Sequence, residues 1–311
     1  MYIISGAIAI IVPIALAVYA NRRFKVSWNS ILYGALAFFV TFLIFQFALT
    51  QISTYLANSS YSWIDEGWFQ IGFFVGISLL TGIIEAGTIW LAFKLSGEKS
   101  PSWKQGLGVG LGHGGMEILY LYGIQFVTNA IQAIDLQKNG IASLNLSAAD
   151  ATAAQQWLDN FASTPWHIPL TICIGVLFLL IIQVSAAMLL WLFFRKRGVK
   201  WFFATIGLQT LAFIVLIFSI FEFFQPWMVT VFFILIAAIS AYILYLVKTR
   251  IIDQYPELLV APAVPEKTSD KPVVDGKAEF LPSAPLTTRE PKAEKVLTKK
   301  STSKKPAAKK N

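Results

Sequence analysis

Seven long apolar segments run along the chain, and short polar junctions separate them. Each segment has about 20 residues or more, the length that an α-helix needs to cross the roughly 30 Å hydrocarbon core of a bilayer. The pattern predicts transmembrane helices over residues 2–20, 30–55, 68–94, 105–130, 165–194, 201–224 and 227–247. The predicted fold class is therefore all-α, a polytopic membrane bundle of about seven helices.

Basic residues follow every second predicted helix, and acidic residues predominate in the alternating loops. Lysine and arginine cluster at residues 22–25, 94–104, 195–200 and 248–250. By the positive-inside rule, the N-terminus is then outside and the C-terminus is cytosolic. The basic residues behind the net charge of +8 lie in these junctions and in the last stretch of the chain. The predicted partner is therefore the lipid bilayer, and no nucleic-acid partner is expected.

Composition supports the same class, because 56% of the residues are hydrophobic and only 14% are charged. Residues 1–250 form the predicted transmembrane domain. Its outer loop, 132–164, contains a short surface helix over 148–161, for which Ser147 is a suitable N-cap. Residues 251–311 are rich in Lys, Pro, Ala, Ser and Thr, which predicts a disordered basic cytosolic tail. The tail either touches anionic lipid or is simply solvated.

A histidine and a glutamate interrupt the fourth apolar segment. His113 and Glu117 are four residues apart, so they share one face of a helix. A carboxylate at mid-bilayer costs roughly 2.5 to 3.5 kcal/mol, and such residues usually face the bundle interior and serve function. The glycine pairs 108/112 and 110/114 surround them and predict close helix packing.

Two more polar side chains are predicted to lie at about the same depth in the membrane as His113. Glu85 in the third helix and His113 in the fourth both lie roughly 13 Å from the predicted cytosolic end of their helices. Gln209 in the sixth helix lies at nearly the same depth. Glu85, His113, Glu117 and Gln209 are therefore the predicted site residues, in a polar pocket of the cytosolic half. A plain hydrogen bond between Glu85 and His113 is the structural alternative.

The string Gly-Leu-Gly-His-Gly-Gly-Met-Glu at 110–117 follows an apolar helix with Glu85 and a basic junction with Trp103. With these features, the chain resembles the YhfC family of intramembrane metalloproteases, which is related to the CAAX-prenyl protease and bacteriocin-processing group. The resemblance covers about residues 1–250 and implies a helical bundle with a site inside a bacterial plasma membrane. It implies that Glu85 activates water, His113 is a ligand or oxyanion-side partner, and Glu117 is a supporting carboxylate.

The chain departs from the family pattern at two motifs. The first motif has two adjacent glutamates and then an arginine, whereas here Ala86 follows Glu85, and Thr88 and Ile89 stand where the arginine would fall. The last motif, a histidine followed four residues later by Asn or Asp, falls on Gln209 and Phe213. The second histidine of the chain, His167, lies at the outer start of the fifth helix, far from His113.

These departures leave two kinds of hydrolytic site open. Glu85, His113 and Glu117 supply three ligands for zinc, but no carboxylate then remains as a general base. In a metal-free site, a glutamate activates water beside His113, with Gln209 near the developing oxyanion. The sequence favours the metal-free arrangement.

Three functions remain open at this stage. The first is an intramembrane protease, active or weakened, that cleaves a membrane-embedded peptide. The second is a pseudoprotease that binds membrane peptides without cleaving them. The third is a proton-coupled carrier that uses the buried acidic residues as a relay; the lack of an internal repeat makes it the least favoured.

Overall fold

The computed structural model describes residues 1–57, 67–96, 101–144, 146–195, 197–220 and 223–249. Within them the chain is helical, which confirms the predicted all-α fold class. The helices are α1 Tyr2–Phe24, α2 Trp28–Ala57, α3 Gly67–Leu95, α4 Trp103–Ile118, α5 Gln125–Asn139, α6 Ala148–Ser163, α7 His167–Phe194, α8 Lys200–Ile220 and α9 Pro226–Val247. The predicted tail, 251–311, lies outside the described residues.

Six of the described helices, namely α1, α2, α3, α7, α8 and α9, are long and apolar enough to cross a membrane. The predicted fourth span is divided, because α4 has 16 residues and a π-helical segment, Leu119–Ile124, joins it to α5. Leu119 and Gln125 both have right-handed helical dihedral angles, so the helical path continues through this segment. The helix that α4, the π-helical segment and α5 form together, residues 103–139, is called the combined helix, and it packs along α1, α2 and α7. The chain is an integral multi-pass membrane protein.

Close contacts give the direction of neighbouring helices. A Cβ at Gly6 of α1 would lie 2.7 Å from Val127 Cγ2, and one at Gly123 would lie 2.6 Å from Ile10 Cγ1. Residue numbers therefore rise along α1 as they fall along the combined helix, and the two are antiparallel. The α3–α8 pair is antiparallel for the same reason, since Gly82 meets Thr210 whereas Phe74 meets Phe218. Both pairs have the relative direction that the charge pattern predicts. Which end faces the cytosol remains a prediction.

Glycines on α4 form two stripes, each with a spacing of four residues. They are Gly106, Gly110 and Gly114 towards α7, and Gly108 and Gly112 towards α2. A Cβ at Gly110 would lie 2.6 Å from Val184 Cα, and one at Gly112 would overlap the carbonyl oxygen of Ile31. The backbones of α2, α4 and α7 therefore approach as closely as the paired glycines predict.

The helix after the fourth span is longer than predicted. The outer loop was expected to begin at residue 132, but α5 continues to Asn139. Ala133 and Leu136, one helical turn apart, are buried against Leu158 of α6, and this contact accounts for the extension. The first turn of α6 is capped by Ser147, whose Oγ accepts a hydrogen bond from the backbone N–H of Asp150 at 3.2 Å.

Candidate active site

Three of the predicted site residues meet in the interior of the bundle. Glu85 comes from α3, and His113 and Glu117 come from α4; each has at most 1% of its surface exposed. One ligand atom from each, a ring nitrogen or a carboxylate oxygen, lies within 4.8 Å of the other two. The one-turn spacing of His113 and Glu117 and the matching depth of Glu85 therefore place the three side chains as the sequence predicts.

Gln183 of α7 connects the two carboxylates and is absent from the predicted site. Its Nε2 donates one hydrogen bond to Glu85 Oε2 at 3.1 Å and another to Glu117 Oε2 at 2.7 Å. The side chain is fully buried. A signal was present in the sequence, because Gln183 is an uncharged polar residue inside a long apolar run, roughly 16 Å from the end of α7 at Phe194. Counted in this way, Gln183 lies within about one helical turn of the depth of Gln209.

Gln209 of α8 is connected to the two carboxylates through Gln183. The five side chains Glu85, His113, Glu117, Gln183 and Gln209 are called the cluster below. Its Nε2 donates to Gln183 Oε1 at 2.6 Å, and it is fully buried. It does not hydrogen-bond to either carboxylate or to His113 among the described contacts. Gln209 therefore belongs to the predicted layer, but it holds the Gln183 amide instead of facing the carboxylates directly.

His113 is enclosed on several sides. The Phe38 ring of α2 lies edge-on to the imidazole, with centroids 6.0 Å apart. Close contact of Gly34 with the backbone of His113 brings α2 against this turn of α4. Neither ring nitrogen makes a hydrogen bond of good geometry with a described residue, and Gln183 is a polar side chain that interacts with the ring. Since buried polar atoms are nearly always satisfied, a ring nitrogen of His113 that has no described hydrogen-bond partner is available to bind a cation together with the two carboxylates.

The donor set fits a divalent cation such as zinc. Catalytic zinc sites take three protein ligands and keep an open position, and imidazole and carboxylate are both ligand types that zinc accepts. Bonds of about 2.0–2.2 Å in a tetrahedral arrangement put ligand atoms roughly 3.4 Å apart, so small side-chain rotations from the observed positions are enough. Two charged carboxylates this close repel each other by roughly 3 kcal/mol at an effective dielectric constant of about 20. A cation or a shared proton would relieve this repulsion.

A cavity of about 520 Å³ adjoins the two carboxylates. Glu85 and Glu117 lie in its wall, and most of the other lining side chains are aromatic or aliphatic. Phe213, which stands at the final position of the family's last motif, is one of them. A volume of this size is typical of pockets for small ligands, with a few polar groups in an apolar wall.

The other residues considered from the sequence lie outside the cluster. Thr88, at a place where the family has an arginine, hydrogen-bonds to Thr41 of α2 through the two hydroxyls at 2.6 Å. Ile89 is fully buried in the hydrophobic core. His167 is exposed at the start of α7 beside the Trp166 ring. The cluster therefore contains a single imidazole, as the sequence predicts.

The match to known proteins covers the whole cluster. The model of the YhfC intramembrane metalloprotease family matches residues 8–233. A relative from Bacillus subtilis (strain 168), described as the uncharacterized membrane protein YhfC, is 26% identical over 141 residues, which are 45% of this chain and 54% of that protein. The chain thus aligns with about half the length of this relative, whose source fits a bacterial plasma membrane. No solved structure matches the chain. By the extent of the family match, the chain belongs to the YhfC intramembrane metalloprotease family.

Proposed function

We propose that this chain is a metal-dependent intramembrane peptidase that hydrolyses an apolar, membrane-embedded peptide. The observation that carries the proposal is the meeting of Glu85, His113 and Glu117 ligand atoms within 4.8 Å, beside an apolar cavity. Peptide hydrolysis needs a water molecule to be activated and a carbonyl to be polarised in a space that excludes bulk water. The cluster supplies the polar groups and the cavity supplies the apolar space.

In this proposal Glu85, His113 and Glu117 would hold the cation, and the proton lost by the water would pass to an oxygen of Glu85 or Glu117 that does not bind the cation, since these are the two carboxylates among the described residues of the cluster. Zinc in such a site polarises a carbonyl and makes water a better nucleophile near neutral pH. Gln183 fixes the orientation of both carboxylates through its two donated hydrogen bonds. Gln209 in turn fixes the Gln183 amide. Such outer partners commonly tune metal affinity by 10- to 100-fold.

A metal-free site, which the sequence favours, would use the same residues differently. One glutamate would take a proton from water beside His113, and an amide would donate to the developing oxyanion. Both protons of the Gln183 amide are used by the carboxylates, and Gln209 donates to Gln183. Gln183 therefore has no free donor, and Gln209, which keeps one free amide hydrogen, is held against Gln183 and makes no hydrogen bond to the carboxylates or to His113 among the described contacts. The position of Gln209 therefore supports the metal-dependent proposal over the metal-free one.

The test is cleavage of a transmembrane reporter peptide by the purified protein in proteoliposomes. We expect the parent chain to cleave it, and His113→Ala and Glu117→Gln to lose cleavage by about 100-fold or more, since each removes one of three ligands. His167→Ala is the matched control, because the chain has two histidines and this one is exposed outside the cluster. We expect that variant to remain active.

Metal dependence is tested on the same preparation. A strong chelator should abolish cleavage by the parent chain, and added zinc should restore it. Full cleavage after chelation would favour the metal-free site. If the parent chain bound the reporter without cleaving it under any metal condition, a pseudoprotease would explain the cluster better. Undiminished cleavage by both cluster variants would contradict the proposed site.

A further inference from the structure

The cavity lies on one side of the catalytic cluster. Its lining positions on α2 run from Phe38, beside His113, to Leu49. On α8 they begin at Phe213, one turn after Gln209, and continue to Ser219. On α7 and α9 they fall near the starts of the helices, at 172–176 and 226–229. The cavity therefore extends from the carboxylates towards the bundle end where α8 ends and α9 begins.

The other side of the cluster is closely packed. The α4 glycine stripes bring the backbones of α2 and α7 against α4 along residues 106–114. Trp191 of α7 fills the interior beyond the stripes, is fully buried, and donates its indole N–H to the Pro101 carbonyl oxygen at 2.9 Å. This end of the bundle carries the basic junctions, which the positive-inside rule assigns to the cytosol.

We propose that the substrate reaches the cluster from the outer half of the membrane, as a locally unwound apolar peptide segment. This inference rests on the proposed peptidase function and on the orientation predicted from charge. The side of entry follows from the cavity, which continues towards the outer end, whereas tightly packed backbone blocks the cytosolic end. The apolar character follows from the aromatic and aliphatic cavity wall.

The volume of the cavity and the internal hydrogen bonds of a helix are the two reasons why the substrate segment must unwind. A helix with side chains is about 10–12 Å wide and rises about 5.4 Å per turn, so one turn occupies roughly 420–610 Å³. A transmembrane helix of 20 residues has between five and six such turns, roughly 2,300–3,400 Å³, so the cavity of about 520 Å³ takes only a short part of it. Peptide carbonyls inside a helix also accept internal hydrogen bonds. A short unwound segment fits the volume and leaves its carbonyls free to approach the carboxylates.

Sided modification of an introduced cysteine tests the route. Thr81 and Thr205 form a matched pair, because each has at most 1% exposure and each hydroxyl donates to a carbonyl oxygen four residues earlier in its own helix. Thr81 lines the cavity, whereas Thr205 is not in its wall. Thr81→Cys and Thr205→Cys are compared in sealed vesicles of both orientations, using a small, membrane-impermeant cationic methanethiosulfonate. The native Cys173 is buried, and the parent chain gives its background rate.

We expect reagent at the outer face to modify Thr81→Cys at least about tenfold faster than Thr205→Cys, because only the former avoids a local opening step. Reagent at the inner face should modify neither above the parent rate. Equal rates for the two variants, or modification of Thr81→Cys from the inner face, would overturn the proposed route. Ser219→Cys, near the outer end of the cavity wall, provides a second readout if Thr81→Cys folds poorly. Absence of outer modification at both positions would also overturn the route.

Protection by a peptide tests the unwound segment. The probes are two leucine-alanine transmembrane peptides, identical except that one carries a Gly-Pro pair in its outer third, which breaks the helix there. We expect only the Gly-Pro peptide to slow modification of Thr81→Cys, by about threefold or more when most sites are occupied. Equal protection by the unbroken helix, or protection by neither peptide, would contradict the inference. Modification needs no catalysis, so outer access without reporter cleavage would count against the peptidase function and leave the route intact.

Discussion

Replacing Gln183 with leucine should destabilise the protein more than any other single amide change in the cluster. Gln183 makes three interhelical hydrogen bonds, donating to Glu85 and Glu117 and accepting from Gln209. It thereby connects α3, α4, α7 and α8. Gln183→Leu keeps a side chain of similar size and removes all three bonds at once.

The magnitude follows from the number of bonds. Interhelical side-chain hydrogen bonds in membrane proteins contribute about 0.6 kcal/mol on average and about 1.7 at most. Three bonds therefore give a loss of roughly 2 to 5 kcal/mol in the free energy of unfolding. Gln209→Leu removes a single bond from the same network, so its expected loss is about 0.6 to 1.7 kcal/mol.

The assay is reversible unfolding in mixed micelles by titration with sodium dodecyl sulfate, with a chelator present so that bound metal does not contribute. Gln155→Leu is the control, because Gln155 donates one exposed hydrogen bond to Asp159 on α6. Its free energy of unfolding should change by less than about 0.5 kcal/mol. If Gln183→Leu and Gln155→Leu changed stability equally, or if Gln209→Leu cost more than Gln183→Leu, the inference that Gln183 connects the cluster would be wrong.

Two further predictions use the same unfolding assay. Gly112→Ala should lower the free energy of unfolding by about 1–3 kcal/mol, because the added methyl would overlap the Ile31 carbonyl oxygen of α2; Gly207→Ala, which meets open space, should not lower it. Zinc at about 100 times its dissociation constant from the parent chain should raise the free energy of unfolding of that chain by roughly 2.7 kcal/mol. The same zinc concentration should raise that of Glu117→Gln far less, and an equal increase for the two would exclude Glu117 as a ligand.

The sequence predicts much of the cluster because depth in a membrane can be counted from the end of a helix. Glu85 and His113 are in helices of opposite direction, and both counts start at the same face of the bilayer. That the two side chains meet follows from the number of residues between each of them and the cytosolic end of its helix, and from the fixed rise of a helix per residue. Residue counts do not give the rotation of a helix about its own axis, which decides where its side chains point. For α4 alone, the one-turn spacing of His113 and Glu117 indicates which face is directed to the interior.

Gln183 was not predicted because, unlike Gln209, it does not fall on a motif of the family that the chain resembles, and as an uncharged residue it stands out less than a carboxylate. Glu85 and Glu117 attract attention through the cost of a carboxylate in hydrocarbon. A glutamine costs less and is compatible with many neighbours, so its position inside a long apolar helix did not identify its partners. In the folded protein, both Gln183 and Gln209 are needed to complete the hydrogen bonding between four helices.

The π-helical segment and the length of α5 were not predictable from local pattern. Leu119–Ile124 has the composition of an ordinary apolar helix. A π turn costs stability, so it persists only where packing on both sides fixes the helix. Here α4 is held by its glycine contacts before the segment, and α5 is held after it by Ala133 and Leu136 against α6. Both constraints come from tertiary contacts between distant parts of the chain.

The position of the polar cluster follows from a change in residue size that three helices share. On α2, the small residues Gly34, Ala35 and Ala37 are followed by Phe38, Phe39 and Phe42. On α4, the glycines end at residue 115 and large side chains follow. On α7, which runs in the opposite direction, Ala187 packs near Gly110, and the larger residues 176–182 lie beyond Gln183. Small residues bring the backbones together in one half of the bundle, and large ones hold them apart in the other. The cluster lies where the two halves meet, so its side chains are fixed by close packing on one side and open to the cavity on the other.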